Sequence, residues 1–411
     1  MKSVTKKKTS GQVIALYVLS VLLIVLAISA VVSAFLNRSD IFADQKMKSI
    51  MADYFGKVPA AINESDLAGV RAVIISDSQM IIGGEELLTT MKANQDLDSS
   101  EQKSISDLYK TYTLDTPVKN FKDLSLFTEL EYFEVNKASC FKSLDDVKCY
   151  PNLYHLAVID MPLDSLDGLK SFPKLTELTL EGIGISDISL ISDMKSLTTL
   201  SFAENGCSDI SSISGMTSLK TLVLSDNDIS DISAVSGMTS LREFNIANNK
   251  VTDISALSKL NDLRYVTLNA NKISDVSALS GKTELLYLYM NGNEIEDISA
   301  LEKSTKLSIF SASENKIKDI SVLAGMTELA QCHLGSNEIE DVSPLKTCTK
   351  LYYITVEKNR ISDWSAIDGM NPAPYIIGKD EQITENTGDD KADENKTEEG
   401  SEEGSGENSE D

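Results

Sequence analysis

Cys332 and His333 stand side by side in a chain of 411 residues that holds five cysteines and two histidines. A thiol beside an imidazole is the raw material of a thiolate nucleophile, provided both side chains reach the same substrate. The surrounding "LAQCHL" alternates as a strand does, and neighbours in a strand point to opposite faces. Cys332 therefore goes to the buried side and His333 to the open one. His155, the other histidine, belongs to a different part of the chain. There is no CxxC pair and no glycine loop to cradle phosphate, and the many serines recur inside one turn motif. The chain is read as non-catalytic and without a cofactor.

Carboxylates offer a second chemistry. Asp187, Asp209, Asp231, Asp253, Asp275, Asp297, Asp319, Asp341 and Asp363 recur every 22 residues, and a ladder of acids could hold calcium. The spacing of an EF-hand loop is absent, however, and each Asp precedes Ile, Val or Trp and then Ser, as the cap of a short helical turn would. Capping is the preferred reading, and no metal is expected. Of the cysteines, Cys140 and Cys149 could pair, whereas Cys207, Cys332 and Cys348 read as small buried hydrophobes.

These residues are positioned by a repeat. Blocks of 22 align without a gap from Leu153 to Pro372, as in "LKTLVLSDNDISDISAVSGMTS" from Leu219 to Ser240. Leu, Leu and an aliphatic at the first, fourth and sixth positions give a short strand with one buried face. No block can bury that face alone, so successive strands must stack in parallel, about 4.8 Å apart. Asn fills the ninth position in Asn205, Asn227, Asn249, Asn271, Asn293, Asn315, Asn337 and Asn359. An amide both donates and accepts, and so can satisfy backbone groups that a turning chain leaves unpaired.

The third and fifth positions point out of the ribbon. They are small or polar early on, as in Thr199, Ser201, Thr221 and Val223, and larger later: Tyr265, Tyr287, Ile309 and Tyr353 at the third, Tyr289 and His333 at the fifth. Tyrosine offers apolar area and a hydroxyl at low entropic cost, so these six residues are the candidate contact surface for a protein partner. Packing among the rings themselves is the competing reading.

Outside the array the chain divides by composition. Residues 1–12 are basic, and Val13–Leu36 carries no charge and is long enough to cross a bilayer as a helix. The lysines before it place residues 1–12 in the cytoplasm and the rest outside; cleavage as a signal peptide, giving a secreted protein, is the alternative. Residues 37–129 hold a helix capped by Asp44 and ended by Gly56, degenerate first repeats, and an insertion at 83–107 with a helix expected within "SSEQKSISDLYK". The array proper covers 130–378, with "PYIIGK" as a last strand, and residues 379–411 form an acidic tail expected to be disordered. A net charge of -25 excludes a nucleic-acid partner.

"NxISDIS" at this spacing, preceded by "DQKMKSIMADYFGKVPAAINESDLAGV", resembles the internalin-type leucine-rich repeat proteins of bacteria over residues 41–378. The resemblance implies an α/β, right-handed solenoid, with parallel strands on a concave face, 3-10 or helical turns on a convex one, and a helical cap. It also implies a Gram-positive cell-surface protein that uses the concave face for recognition or adhesion. An envelope spacer, or an accessory subunit that localises a surface enzyme, are the alternatives.

Overall fold

The computed structural model describes residues 42–94, 104–147 and 150–383. Val13–Leu36, most of the acidic tail and Cys149 lie outside them, and among the described residues no helix is long and apolar enough to cross a membrane.

The chain enters through α1 (Gln45–Phe55). The Asp44 carboxylate accepts from the amides of Lys46 and Met47, and Gly56, at φ 62°, closes the other end. Met47, Ile50 and Met51 lie on its buried face. A second, short helix, α2 (Glu64–Leu67), leads into β1 (Ala72–Ile75), where Val73 and Ile75 enter the core. The chain then doubles back as β2 (Gln79–Gly83), carries α3 (Glu85–Asn94), and returns as β3 (Tyr109–Thr113). The helix expected within Ser99–Lys110 is not formed at its C-terminal end: Tyr109 and Lys110 belong to β3, and Ser99–Lys103 lie outside the described residues.

From β4 (Tyr132–Asn136) onward the sheet is parallel. β1 pairs with β4 in parallel, β2 and β3 add antiparallel strands at the outer edge, and each later repeat contributes one strand up to Tyr375–Ile377. The described residues thus form one open sheet of fifteen strands. The leucine and isoleucine positions fill a single continuous core from Phe42 to Ile367, the burial that no single repeat could achieve.

Two amino-acid positions hold the turns. The Nδ2 of Asn271 donates to the carbonyls of Ile246, Leu268 and Asn269 at 2.9, 3.2 and 3.1 Å, and its Oδ1 accepts from the Val251 amide at 2.9 Å. The same pattern recurs at Asn227, Asn249, Asn293, Asn315, Asn337 and Asn359, and Asn205 bonds the Ile183 amide and the Leu180 carbonyl. Gln382 ends this ladder: its longer side chain reaches the Ile361 amide and the Val356 carbonyl from one residue further along. Backbone order therefore continues to Ile383, past the boundary that composition draws at 379.

Every one of the nine aspartates accepts from the amide of the serine two residues on, at 2.7–2.9 Å. The turns they start are mostly 3-10, and from Asp209 to Asp341 the formal cap is the Ile or Val that follows. Among the described residues no group of His, Cys, Asp or Glu side chains is arranged to hold a metal ion.

Candidate recognition face on the strand side

Cys332 is fully buried in the core, and that burial pushes its thiol pKa far up. His333 turns to the opposite face, where Nδ1 meets the Thr355 hydroxyl at 3.3 Å. No dyad is assembled. Cys348 is also buried, its thiol pushed up to about 11 by desolvation. Cys140 is exposed; its candidate partner Cys149 lies outside the described residues.

All six candidate contact residues lie on the strand face. Tyr265, Tyr287, Ile309, Gln331, Tyr353 and Tyr375 succeed one another in register along the third-position row. Tyr289 and His333 lie in the fifth-position row on either side of Ser311. Ring contacts split the aromatics into two groups. In the first, Tyr265 and Tyr287 have centroids 5.1 Å apart at 58°, and they remain 37% and 36% exposed. Tyr289 beside them is half-buried, and desolvation raises its phenol pKa. In the second, His333 packs on Tyr353 at 5.5 Å and Tyr353 on Tyr375 at 5.9 Å. Burial lowers the His333 pKa, with Glu357 opposing. Ile309 and Gln331 separate the two groups.

Tyr375 and Tyr352, 66% and 54% exposed, extend the second group and were not among the sequence candidates. Tyr375 is one further step of 22 beyond Tyr353, so carrying the row past the last complete repeat finds it. Tyr352 accepts a hydrogen bond from the side-chain amide of Gln331. Two fifth-position serines expected to be open are instead buried. The hydroxyl of Ser201 donates to Glu181 and that of Ser311 to Asn291, side chains that fold over them from the seventh position of the preceding repeat.

The other end of the strand face is closed by the insertion. Leu87 and Leu88 of α3 pack on Ala72, with Met91, Tyr109 and Tyr132 around them, forming a small second core on the side of the sheet opposite the main one. Gly83 is required there, since a Cβ on it would lie 2.1 Å from a Leu87 methyl. Lys92 bonds Glu131 at 3.2 Å and sits 4.3 Å over the Tyr154 ring. Behind it His155 is stacked on Tyr132 at 3.9 Å and bonds Glu177 at 2.8 Å. The open part of the face thus starts beyond His155 and contains both tyrosine groups.

The leucine-rich repeat model, in two copies each, matches residues 195–237 and 239–281. No curated protein matches the chain by sequence. Among solved structures, an internalin of Listeria monocytogenes, InlF, superposes with a TM-score of 0.65 at 22% identity, covering 82% of this chain and 95% of its own. A leucine-rich repeat protein of Leptospira interrogans gives 0.52 at 17% identity over 59% of this chain and 70% of its own. Internalin C2 of Listeria monocytogenes, at 29% identity, covers 45% of this chain and 82% of its own with a TM-score of 0.44. The repeat, its asparagine ladder, its helical cap and the course of its sheet make this chain a leucine-rich repeat protein of the internalin-type fold.

Proposed function

We propose that the chain is a membrane-anchored, extracellular, non-catalytic recognition protein that binds a protein ligand on the open strand face. One observation carries this reading: Tyr265 and Tyr287, in register on adjacent strands, keep over a third of their surface exposed on the part of the face that the insertion leaves uncovered. Paired aromatics on an open, rigid surface are the usual anchors of protein interfaces. The fold supports the reading, since leucine-rich repeats ordinarily serve as protein-interaction scaffolds without catalysis.

Anchoring rests on the sequence: residues 13–36 form an uncharged run behind a lysine-rich segment, which supports a solenoid outside the cell. Protease added to intact cells then removes the solenoid and spares a small membrane-bound N-terminal fragment. Retention of the whole chain under protease, or its appearance free in the medium, removes the anchored topology. Binding is tested with the full-length chain as bait against surface proteins, beside a Tyr287→Ala/Tyr289→Ala double variant with unchanged circular dichroism. Loss of a specific partner only in the variant supports the contact surface. Equal capture by both chains, or none by either, favours the spacer reading, in which the rings only stabilise the sheet.

A further inference from the structure

Beside the first tyrosine group runs a row of cations. Lys220, Arg242 and Arg264 fill the second position of three successive repeats, and the amide of each later one donates to the carbonyl of the one before it at 2.8 Å. Their backbones are therefore stacked directly, and all three side chains are exposed. Before them the row holds Thr176 and Thr198, and after them Leu286 and Ser308, so the charge is confined to one stretch.

Several other lysines of the solenoid are matched by an acid one repeat away. Lys250 pairs with Asp228 at 2.5 Å, Lys306 with Glu284 at 2.8 Å, Lys316 with Glu294 at 3.4 Å and Lys350 with Glu328 at 2.5 Å. Among the described residues, Lys220, Arg242 and Arg264 form no such ion pair. The acids nearest in sequence are otherwise engaged or offset. Glu284 is held by Lys306 and feels Arg264 only at a distance, and Glu243 accepts from the Thr221 hydroxyl at 3.4 Å. Asp262 precedes Arg264 by two residues and is exposed. In a chain of net charge -25, three stacked cations without an ion pair are a local concentration of positive charge, beside the exposed acids Glu243 and Asp262.

We infer that the ligand of the proposed recognition face is an acidic polypeptide segment that also carries an aromatic or large aliphatic side chain. The inference rests on that face being a protein-binding surface and adds the chemistry of what it binds. Arg264 directly precedes Tyr265, and the Tyr287 amide donates to the Arg264 carbonyl at 3.0 Å, so the cation row ends beside the first tyrosine pair, and one extended segment meets cations over the repeats from Leu219 to Leu263 and rings over the repeats from Leu263 to Leu307. Arginine supplies paired donors to a carboxylate, and a rigid ring supplies apolar area, so the two halves select different features of one ligand. The chain's own tail meets only the first requirement. Residues 384–411 are rich in Asp and Glu but hold no aromatic and no large aliphatic residue.

A display library of random peptides panned on the full-length chain tests this directly. Peptides enriched in Asp or Glu together with Phe, Tyr, Trp or Leu are expected. The variant Lys220→Glu/Arg242→Glu/Arg264→Glu should weaken them at least tenfold and enrich Lys- or Arg-bearing peptides instead. Tyr265→Ala/Tyr287→Ala should weaken the acidic peptides while preserving their dependence on salt. Selection of neutral or basic peptides that still need the tyrosines overturns the inference and leaves the protein-binding reading standing. Enrichment of purely acidic peptides indifferent to the tyrosines also overturns it. Failure to enrich any peptide dependent on either group overturns both.

Discussion

The Nζ of Lys282 donates a 2.7 Å hydrogen bond to the carbonyl of Ser258, one repeat back, from a position that holds Leu260 in the preceding repeat, a buried Ser304 in the following one, and Met238 and Met326 one repeat further on either side. The residue is completely buried, and its other partner, Asn261, is at the limit of hydrogen-bond reach at 3.5 Å. Desolvation lowers its pKa from 10.5.

Replacing Lys282 by Met is expected to stabilise the solenoid by about 1–2 kcal/mol, since a buried charge with few partners gives way to the side chain that the repeat uses elsewhere. The pH dependence follows in sign. The folded state releases the lysine proton more readily than the unfolded one, so the wild type gains stability as pH rises from the lowered value towards 10.5 and then levels off. Urea unfolding at pH 7 to 11 should show that slope in the wild type and not in Lys282→Met. Equal slopes in the two proteins would exclude Lys282 as its source.

The asparagine ladder makes a graded prediction. Asn337 is 4% exposed and bonds the Ile317 amide and three carbonyls, whereas Asn249 is only partly buried with equivalent bonds. Asn337→Ala should cost about 1–3 kcal/mol, and Asn249→Ala less, because water can reach the groups left behind. Denaturant unfolding of both variants checks the order.

The period of 22, the asparagines and the aspartates were legible because each performs one local task in every repeat. α3 was not. "EELLTTMKAN" has two adjacent leucines rather than a long apolar stripe, and what holds it is Ala72 and Tyr132 on the far face of the sheet, contacts that pattern alone does not reveal. The strands Gln79–Gly83 and Tyr109–Thr113 were missed for the same reason: they pair across an insertion of variable composition. Lys282 was invisible because a lysine in a repeat reads as surface until its neighbours are placed. At the strand face, the rows of tyrosines followed from register alone, while the burial of Ser201 and Ser311 depended on Glu181 and Asn291 folding back.

The eighth position of each repeat was also hidden, for it is conformational and not chemical. Asp160, Gly182, Glu204, Asp226, Asn248, Ala270, Gly292, Glu314, Ser336 and Lys358 share no side-chain type, yet all have φ between 52° and 59° or, at Gly292, 64°. An L-residue there is disfavoured, least so Asn and Asp, whereas glycine adopts this conformation freely. Ala270, at φ 52° and exposed, loses no packing on becoming glycine. Ala270→Gly should therefore raise stability by about 0.5–1 kcal/mol, and Gly292→Ala should lower it by a similar amount, in thermal or urea unfolding. The reverse signs would remove the left-handed turn as a site of strain.

The aspartate caps predict how the solenoid meets acid. The backbone amides and hydroxyls of Ser211, Ser233 and Ser255 bond Asp209, Asp231 and Asp253 and hold their pKa values below the usual 3.8. A lowered folded-state value means that the caps contribute fully above the unfolded carboxylate range, and that this contribution is lost as pH falls through the folded values. Asparagine keeps the accepting oxygen and has no proton to gain. A triple variant Asp209→Asn/Asp231→Asn/Asp253→Asn should thus lose less of its melting temperature than the wild type between pH 5 and pH 2, while Asp→Ala at the same sites lowers it at every pH. The three proteins melted across that range separate a charge effect from a capping effect: parallel curves for wild type and the asparagine variant would mean that the caps act through hydrogen-bond geometry alone.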